Sequence, residues 1–236
     1  MPRTIKRSKT RLRKLGFWSL ALAVLWLLVG VLLTLPLRWV NPQTTAFILQ
    51  DERRADKALD AWSDFDALGQ NLAIAVVAAE DQRFDQHIGV DFVSIRGSIE
   101  DSKDGDRLRG ASTLTQQLAK NLYLWPGRSL LRKGLEAWFA FNLEVFLPKQ
   151  RILELYVNVV EFGPGIYGAT DASRHFFGKR PALLSASEAA LLAAVLPSPR
   201  RYRAEAPSAY VRERQHWIES QMARLKRENW LYTISR

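Results

Sequence analysis

Two motifs decide what fold and site this chain can form: EDQRFDQHIG at residues 80–89 and GASTLTQQ at residues 110–117. Two further blocks follow them, RKGLE at residues 132–136 and KQRILELYVN at residues 149–158. Together the blocks surround a few carboxylates with Gln, Lys and Arg side chains. Carboxylates in such surroundings indicate a base that works beside an anionic group.

Apolar residues around these motifs recur with helical spacing, and Ser or Thr precedes several of the apolar runs as an N-cap. Residues 97–110 are polar and contain Gly, so we expect a loop or flap there. No alternating β-branched run of useful length occurs, which predicts a mainly α fold. The predicted helices cover residues 15–37, a short stretch near 58–62, 68–80, 112–124, 129–146, 148–156, 187–196 and 208–228.

Residues 15–37 contain no charged side chain. As a helix this run is roughly 34 Å long, and a bilayer hydrocarbon core is about 30 Å thick. Residues 1–14 carry seven Lys or Arg and no acid, and only Arg38 follows closely. The positive-inside rule therefore predicts a single-pass anchor with its N-terminus in the cytoplasm. A cleaved signal peptide is the alternative, but the run is long for one and lacks a small-x-small cleavage site.

The chain of 236 residues has room for one sizeable domain behind this anchor. We expect a cytoplasmic tail at residues 1–14, a membrane helix at 15–37, a connector at 38–60 and a periplasmic domain at 61–236. The net charge of +10 is concentrated in the tail, so it does not indicate a nucleic-acid partner. The absence of Cys excludes thiolate zinc sites and Cys nucleophiles.

Glu80 is the candidate base, because it ends an apolar run. A carboxylate there is partly desolvated, and the negative end of the helix dipole does not help it, so its pKa is expected to rise. An ordinary solvated helix end is the alternative for Glu80-Asp81. His87 is interpreted as a structural residue that supports the turn.

The second and third motifs supply neutral and cationic polar groups. Two adjacent Gln and three hydroxyls in GASTLTQQ exceed what helix capping needs, and they suit sugar hydroxyls or diphosphate oxygens. Arg132 and Glu136 could form no more than a surface ion pair. With Lys120 and Lys149 nearby in sequence, the region of Arg128, Arg132 and Lys133 holds five cations for one carboxylate, a surplus that favours an external anion.

The pattern Glu-Asp-x-x-Phe-x-x-His-x-Gly, followed by Gly-x-Ser-Thr-Leu-Thr-Gln-Gln, closely resembles the family 51 glycosyltransferases of bacterial cell-wall synthesis. The monofunctional, membrane-anchored members are the nearest match, over roughly residues 61–230. The resemblance implies a mainly helical, partly lysozyme-like fold. It also implies that lipid II is polymerised into glycan strands at the outer face of the cytoplasmic membrane, with inversion and release of undecaprenyl diphosphate.

The resemblance also assigns roles to matching residues. Glu80 would be the general base, and Glu136 a second essential carboxylate that acts directly or through a divalent cation such as Mg²⁺ or Mn²⁺. No organic cofactor is implied. The cations that would neutralise the leaving diphosphate are Lys120, Arg128, Arg132 and Lys133. The residues that would line the substrate sites are Asp81, Phe84, Ser112, Thr113, Gln116, Gln117 and Lys149.

Two alternatives stay open at this point. A lytic enzyme that cleaves the same glycan would also need a catalytic acid, but it has no diphosphate to stabilise. A non-enzymatic membrane scaffold of the division or wall-synthesis machinery would not depend on Glu80. The expected partners are lipid II, the growing glycan strand, the membrane and proteins of that machinery.

Overall fold

The computed structural model describes residues 3–102, 112–127 and 129–234, and it is mainly helical, as the sequence predicts. Two short strands form the one sheet in this part of the chain. In chain order the elements are α1 (Arg3–Thr34), α2 (Ala46–Leu49), α3 (Phe65–Leu68), α4 (Gln70–Glu80), α5 (Phe92–Ser102), α6 (Leu114–Tyr123), α7 (Leu130–Phe146), α8 (Lys149–Val159), β1 (Glu161–Gly163), β2 (Ile166–Tyr167), α9 (Ala169–Phe177), α10 (Ala186–Val195), α11 (Ala209–Arg227) and α12 (Trp230–Ile234).

One long N-terminal helix contains the predicted anchor. The segment Gly16–Arg38 is long and apolar enough to cross a membrane, with a mean hydropathy of 2.6 and only 11% of its most apolar window buried. Such exposure of apolar side chains is unfavourable in water and suits a lipid environment. The helix is therefore consistent with a single-pass membrane anchor.

The end of α1 packs closely against α7. The rings of Trp26 and Trp138 lie 4.3 Å apart between centroids. A Cβ at Gly30 would lie 2.5 Å from Oδ1 of Asn142 and 2.8 Å from Cζ2 of Trp138, so a larger residue would require these side chains to move. The hydroxyl of Tyr123 donates to the carbonyl of Leu33 at 2.8 Å. The anchor and the helical domain are thus joined by side-chain packing as well as by the chain.

The connector is packed onto the domain. Ile48 of α2 is fully buried, and the Leu59 amide donates to the Gln43 carbonyl. The short helix predicted near residues 58–62 is wrong, because that segment is irregular. Its backbone is held by side chains instead: Arg54 donates to the Ala58 carbonyl at 2.7 Å, and Asp56 accepts from the Ala58 amide at 2.9 Å.

The core is built around two helices that are apolar on every side. Residues Leu72 to Ala78 of α4 and Ala189 to Val195 of α10 are buried. These helices pack against each other and against α11, while α6 packs against α7 and α8. A helix without a polar face must be covered all round. The burial of α4 therefore fixes where its C-terminal residue, Glu80, leaves the core.

Three local predictions differ from the structure. The expected loop at 97–110 is helical up to Ser102, because Asp91 accepts from the amides of Val93 and Ser94 and starts α5. Residues 103–111 lie outside the described residues. The hairpin of β1 and β2 was missed because strands of three and two residues are too short to show a period. The cap of α10 is Ser185, two residues before the predicted start.

A substitution at Gly69, which precedes α4, tests how firmly this helix is placed. Gly69 has a φ of 74° and a ψ of 150°, and an added Cβ would lie 2.7 Å from Cα of Ala182. We expect Gly69→Ala to lower the free energy of unfolding by about 2 kcal/mol or more, because backbone strain and the clash add. Thermal unfolding of detergent-solubilised protein measures the loss.

The matched control is Gly134→Ala, at a helical position with open space around the Cβ. That change should leave stability unchanged or raise it by about 0.5–1 kcal/mol. Equal effects of the two substitutions would contradict the assigned backbone strain at Gly69.

Candidate active site

Glu80 lies on the wall of a cavity of about 740 Å³ between the end of α4 and the C-terminal helices. The same cavity is lined by residues from α4, α11 and the turn before α6, among them Gln82, Ser112, Thr113, Trp217 and Arg224. The walls are largely polar. The cavity is therefore suited to a large, hydrophilic ligand such as a carbohydrate.

The Glu80 carboxylate is held by donors from two other helices. Its Oε2 accepts from Nε2 of Gln117 at 2.8 Å, and its Oε1 lies 3.3 Å from a guanidinium nitrogen of Arg214. The side chain is only 11% exposed. Burial raises the pKa of Glu80, and Gln117, Arg214 and Lys120 oppose that rise. A raised pKa is what a general base needs in order to take up a proton near neutral pH.

Asp81, predicted to contact substrate, is bound to the protein itself. Its carboxylate lies 3.0 Å from Nε2 of His87 and accepts from the Leu114 amide at 2.9 Å. The second contact places a negative charge at the N-terminus of α6, where the helix dipole favours it. Asp81 therefore joins the first motif to the second, and His87 supports the turn as the sequence analysis interpreted it.

Phe84 and Lys149 also face inward rather than towards the cavity. Phe84 is fully buried, and the Lys149 ammonium lies 4.5 Å from its ring centre. Lys149 donates to the His87 carbonyl at 2.6 Å and to Glu144 at 2.8 Å. The prediction that Lys149 adds to a cation surplus around Glu136 is wrong, since Lys149 is paired with another carboxylate. Both residues stabilise the turn behind Glu80.

Residues of the second motif divide into two groups. Thr113 and Gln116 form a capping box at the start of α6, and the Thr113 hydroxyl also donates to the Gly89 carbonyl at 2.6 Å. Both side chains are buried. Ser112 and Gln117 are only partly buried: Ser112 lines the cavity and accepts from Lys133 at 2.9 Å, and Gln117 contacts Glu80.

Glu136 lies in a compact cluster of cations on α7. Both Arg132 and Lys133 donate to its carboxylate, Lys133 at 2.9 Å. Glu136 is 4% exposed, whereas the Lys133 side chain is 45% exposed. Nε of Arg132 is buried without a hydrogen-bond partner. Among the described residues the cluster therefore has one carboxylate for two cations.

Lys120 lies one turn along α6 from Gln117, and its ammonium is 5.3 Å from the centre of the Phe47 ring. Burial lowers the pKa of Lys120, and the fields of Glu136 and Glu80 partly restore it. This cation links the Glu80 cavity to the Arg132 cluster electrostatically. Arg128, predicted to belong to the same set, lies outside the described residues.

The described residues contain no preformed binding site for the expected divalent cation. No group of three or more His, Cys, Asp or Glu side chains comes together there. Glu136 is the one carboxylate in the cation cluster, and both its oxygens already accept from Arg132 and Lys133. These residues alone do not fit a protein-coordinated metal ion.

Arg214 is a site residue that the sequence analysis missed. It lies 134 positions after Glu80, on a helix with several other basic residues. The basic character of α11 is visible in the sequence, but nothing there indicates which Arg turns towards α4. Only the packing of α11 against α4 brings them together.

Comparisons with known proteins identify the class of enzyme. The family model described as Transglycosylase matches residues 48–223. The chain is 47% identical over 228 residues to a protein of Pseudomonas fluorescens, covering 93% of this chain and 94% of the relative. It is 48% identical over 230 residues to one of Stutzerimonas stutzeri, with 95% and 92% coverage. It is 49% identical over 222 residues to one of Shewanella amazonensis, with 89% and 88% coverage.

Each of these three relatives is named biosynthetic peptidoglycan transglycosylase. The chain belongs to the transglycosylase family, and it is a peptidoglycan glycosyltransferase. The matched region begins at residue 48, inside the connector, which agrees with the packing of α2 onto the domain.

The raised pKa of Glu80 has a consequence for stability. The folded protein holds this proton more tightly than the unfolded chain, so stability falls as pH rises above the unfolded pKa. Glu80→Gln removes that penalty. We expect the variant to unfold at a higher temperature than the wild type at pH 7.5, with the gap closing towards pH 4.5. Each kcal/mol should correspond to roughly 2–4 °C.

Thermal unfolding across this pH range measures the gap between the two proteins. Glu213→Gln, at an exposed position of α11, serves as the control and should follow the wild type throughout. A gap between Glu80→Gln and wild type that does not change with pH would show that Glu80 is not strained in its charged form.

Proposed function

We propose that this peptidoglycan glycosyltransferase polymerises lipid II into glycan strands. The observation that carries the proposal is the position of Glu80. Glu80 lines a polar cavity, its pKa is raised by burial, and the charges of both Glu80 and Glu136 act on Lys120. The family membership and the names of the relatives support the reaction class.

In the proposed reaction, Glu80 accepts the proton of the GlcNAc 4-hydroxyl of the acceptor. That oxygen attacks the anomeric carbon of the donor MurNAc from the side opposite the leaving group. The bond to undecaprenyl diphosphate breaks with inversion, and the diphosphate leaves as an anion. The proton stays on the Glu80 carboxyl until it is released to solvent.

The cations of α6 and α7 would stabilise the diphosphate as its negative charge develops. Preorganised charges of this kind commonly make the largest contribution to catalysis. The half-exposed Lys133 side chain carries the donor available to it, because its ammonium bonds Ser112 and Glu136 and keeps a third N–H. Glu136 would hold both cations in place, and Ser112 would fix the Lys133 ammonium at the edge of the cavity.

The two alternative functions account for less of this arrangement. A lytic enzyme needs an acid but releases no diphosphate, so Lys120, Arg132 and Lys133 would have no anion to stabilise. A non-enzymatic scaffold would not require the Glu80 carboxylate, whose burial lowers the stability of the folded protein. Strain at a functional group is expected where catalysis needs it.

Polymerisation of lipid II by detergent-solubilised protein tests the proposal. We expect Glu80→Gln to lower the rate by about 10²–10⁴, because general-base catalysis is commonly of that size. Lys133→Ala should lower it as well, since one cation is lost. Glu213→Gln and Lys226→Ala, both exposed on α11, are the matched controls for charge and should polymerise at the wild-type rate.

The same assay separates the alternatives. Shortened sacculus glycan without new polymer would indicate a lytic enzyme. Polymerisation by Glu80→Gln at the wild-type rate would remove Glu80 from the reaction.

The surface around the anchor supports a membrane partner. Leu130, Leu131, Phe141 and Val145 of α7 are each more than half exposed. They lie on the helix that contacts Trp26 and Gly30 of the anchor, so we propose that this apolar surface rests in the outer part of the bilayer. Of residues 122–125, an apolar set before α7, only Trp125 is exposed. The lipid-linked substrate would then reach the cavity from the membrane.

The proposed orientation places the N-terminal tail in the cytoplasm and the domain in the periplasm. The chain has no Cys, so single-Cys variants can report the side of each segment. In intact cells we expect a membrane-impermeant maleimide to label Ser220→Cys, at an exposed position of α11, and not Ser8→Cys. After permeabilisation both should react. Labelling of Ser8→Cys alone in intact cells would reverse the orientation.

A further inference from the structure

Gln117, the direct donor to Glu80, is itself held by a buried tyrosine. The Tyr156 hydroxyl donates to Oε1 of Gln117 at 2.9 Å, while Nε2 of Gln117 donates to Oε2 of Glu80 at 2.8 Å. Tyr156 lies on α8 and is fully buried. Three helices, α8, α6 and α4, thus meet in one chain of two hydrogen bonds that ends on the carboxylate.

The direction of this chain depends on the orientation of one amide group. A Gln side chain has an oxygen that accepts and a nitrogen that donates, and the two ends have nearly the same shape. If the amide were reversed, its oxygen would face the Glu80 carboxylate and repel the charged form. The Tyr156 proton would also lose its acceptor. Burial and the charges of Glu80 and Asp81 raise the pKa of Tyr156 well above its usual value, so this hydroxyl remains a donor.

We propose that Tyr156 is a positioning residue for Glu80: it fixes the amide of Gln117 so that the donor end faces the carboxylate. The inference rests on the proposed function, in which Glu80 must be ionised to accept a proton. Without the Tyr156 hydroxyl, the orientation of the amide depends on Glu80 alone. A protonated Glu80 could then donate to the reversed amide, so the neutral, inactive form is stabilised.

The other charged groups around Glu80 are not altered by removing this hydroxyl. Arg214 faces it from α11 and Lys120 from α6, and both favour the ionised form. Asp81, the next residue, stays bound to His87 and the start of α6. A change in the pH profile of a Tyr156 variant therefore reports on the Gln117 contact.

The chain offers a closely matched control. Tyr167 is also buried, and its hydroxyl donates at 2.9 Å to Asp51, on the connector side of the domain. Tyr156→Phe and Tyr167→Phe each remove one buried hydroxyl and one hydrogen bond to a side chain. Only the first hydroxyl is connected to Glu80.

The experiment measures kcat/KM for lipid II polymerisation between pH 5 and 9 for wild type and the two variants. For Tyr156→Phe we expect the acidic limb of the pH profile of kcat/KM to move to higher pH by about half to one unit. The free energy of one net hydrogen bond corresponds to a pKa shift of about this size. At acidic pH, kcat/KM of the variant should be several-fold lower than that of the wild type, and at high pH the two should be nearly equal. KM should be unchanged. For Tyr167→Phe the limb should stay in place.

Two results would overturn the inference: an acidic limb of Tyr156→Phe that coincides with wild type, or an equal shift in Tyr167→Phe. Glu80→Gln is assayed alongside. If Glu80→Gln polymerises at the wild-type rate, the proposed function itself is wrong. If Glu80→Gln is inactive but the pH profile of Tyr156→Phe is unshifted, only the positioning role of Tyr156 is wrong.

If Tyr156→Phe is too unstable for kinetic measurements, a double-mutant cycle with Glu80→Gln that measures thermal stability can be used instead. The loss of thermal stability caused by Tyr156→Phe should then depend on pH with Glu at position 80 and not with Gln. A loss with the same pH dependence in both backgrounds would contradict the proposal.

Discussion

The burial of α4 from Leu72 to Ala78 is the constraint on which the rest of the structure depends. A helix with apolar residues on all sides has to be surrounded, and here α10 and α11 supply the cover. Its last residue is a glutamate, placed where the helix dipole is negative and water is scarce. The neighbouring helices then provide the donors that allow the carboxylate to be charged at all, Gln117 from α6 and Arg214 from α11.

The polar residues of the motifs serve two different purposes. Asp81, Thr113 and Lys149 bind other parts of the protein, and they hold the turn of residues 84–87 against the start of α6. Glu80 lines the cavity, and the Lys133 side chain is 45% exposed. The motifs in this protein therefore serve partly to hold the fold together, because several of their polar side chains contact other motifs.

The sequence predicted the long helices and their capping residues well, because apolar spacing and N-caps are local signals. Thr113 and Ser129 cap α6 and α7 as expected, and Ser208, where the last helix was expected to begin, caps α11. The sequence could not show that Phe84 is buried, since an aromatic residue in a motif fits a core and a binding site equally well. The contact of Arg214 with Glu80 and the packing of the connector depend on tertiary structure, which leaves no local pattern.

The close contact of Gly30 with Trp138 and Asn142 joins the anchor firmly to the helical domain. A flexible tether would let the domain float at any height above the lipid. A helix locked against α7 instead ties the tilt of the cleft to the tilt of the anchor in the bilayer. Helix tilt responds to the thickness of the hydrocarbon layer. Lipid acyl length would thus alter the angle at which the cleft meets its membrane-bound substrate, without any change in the protein.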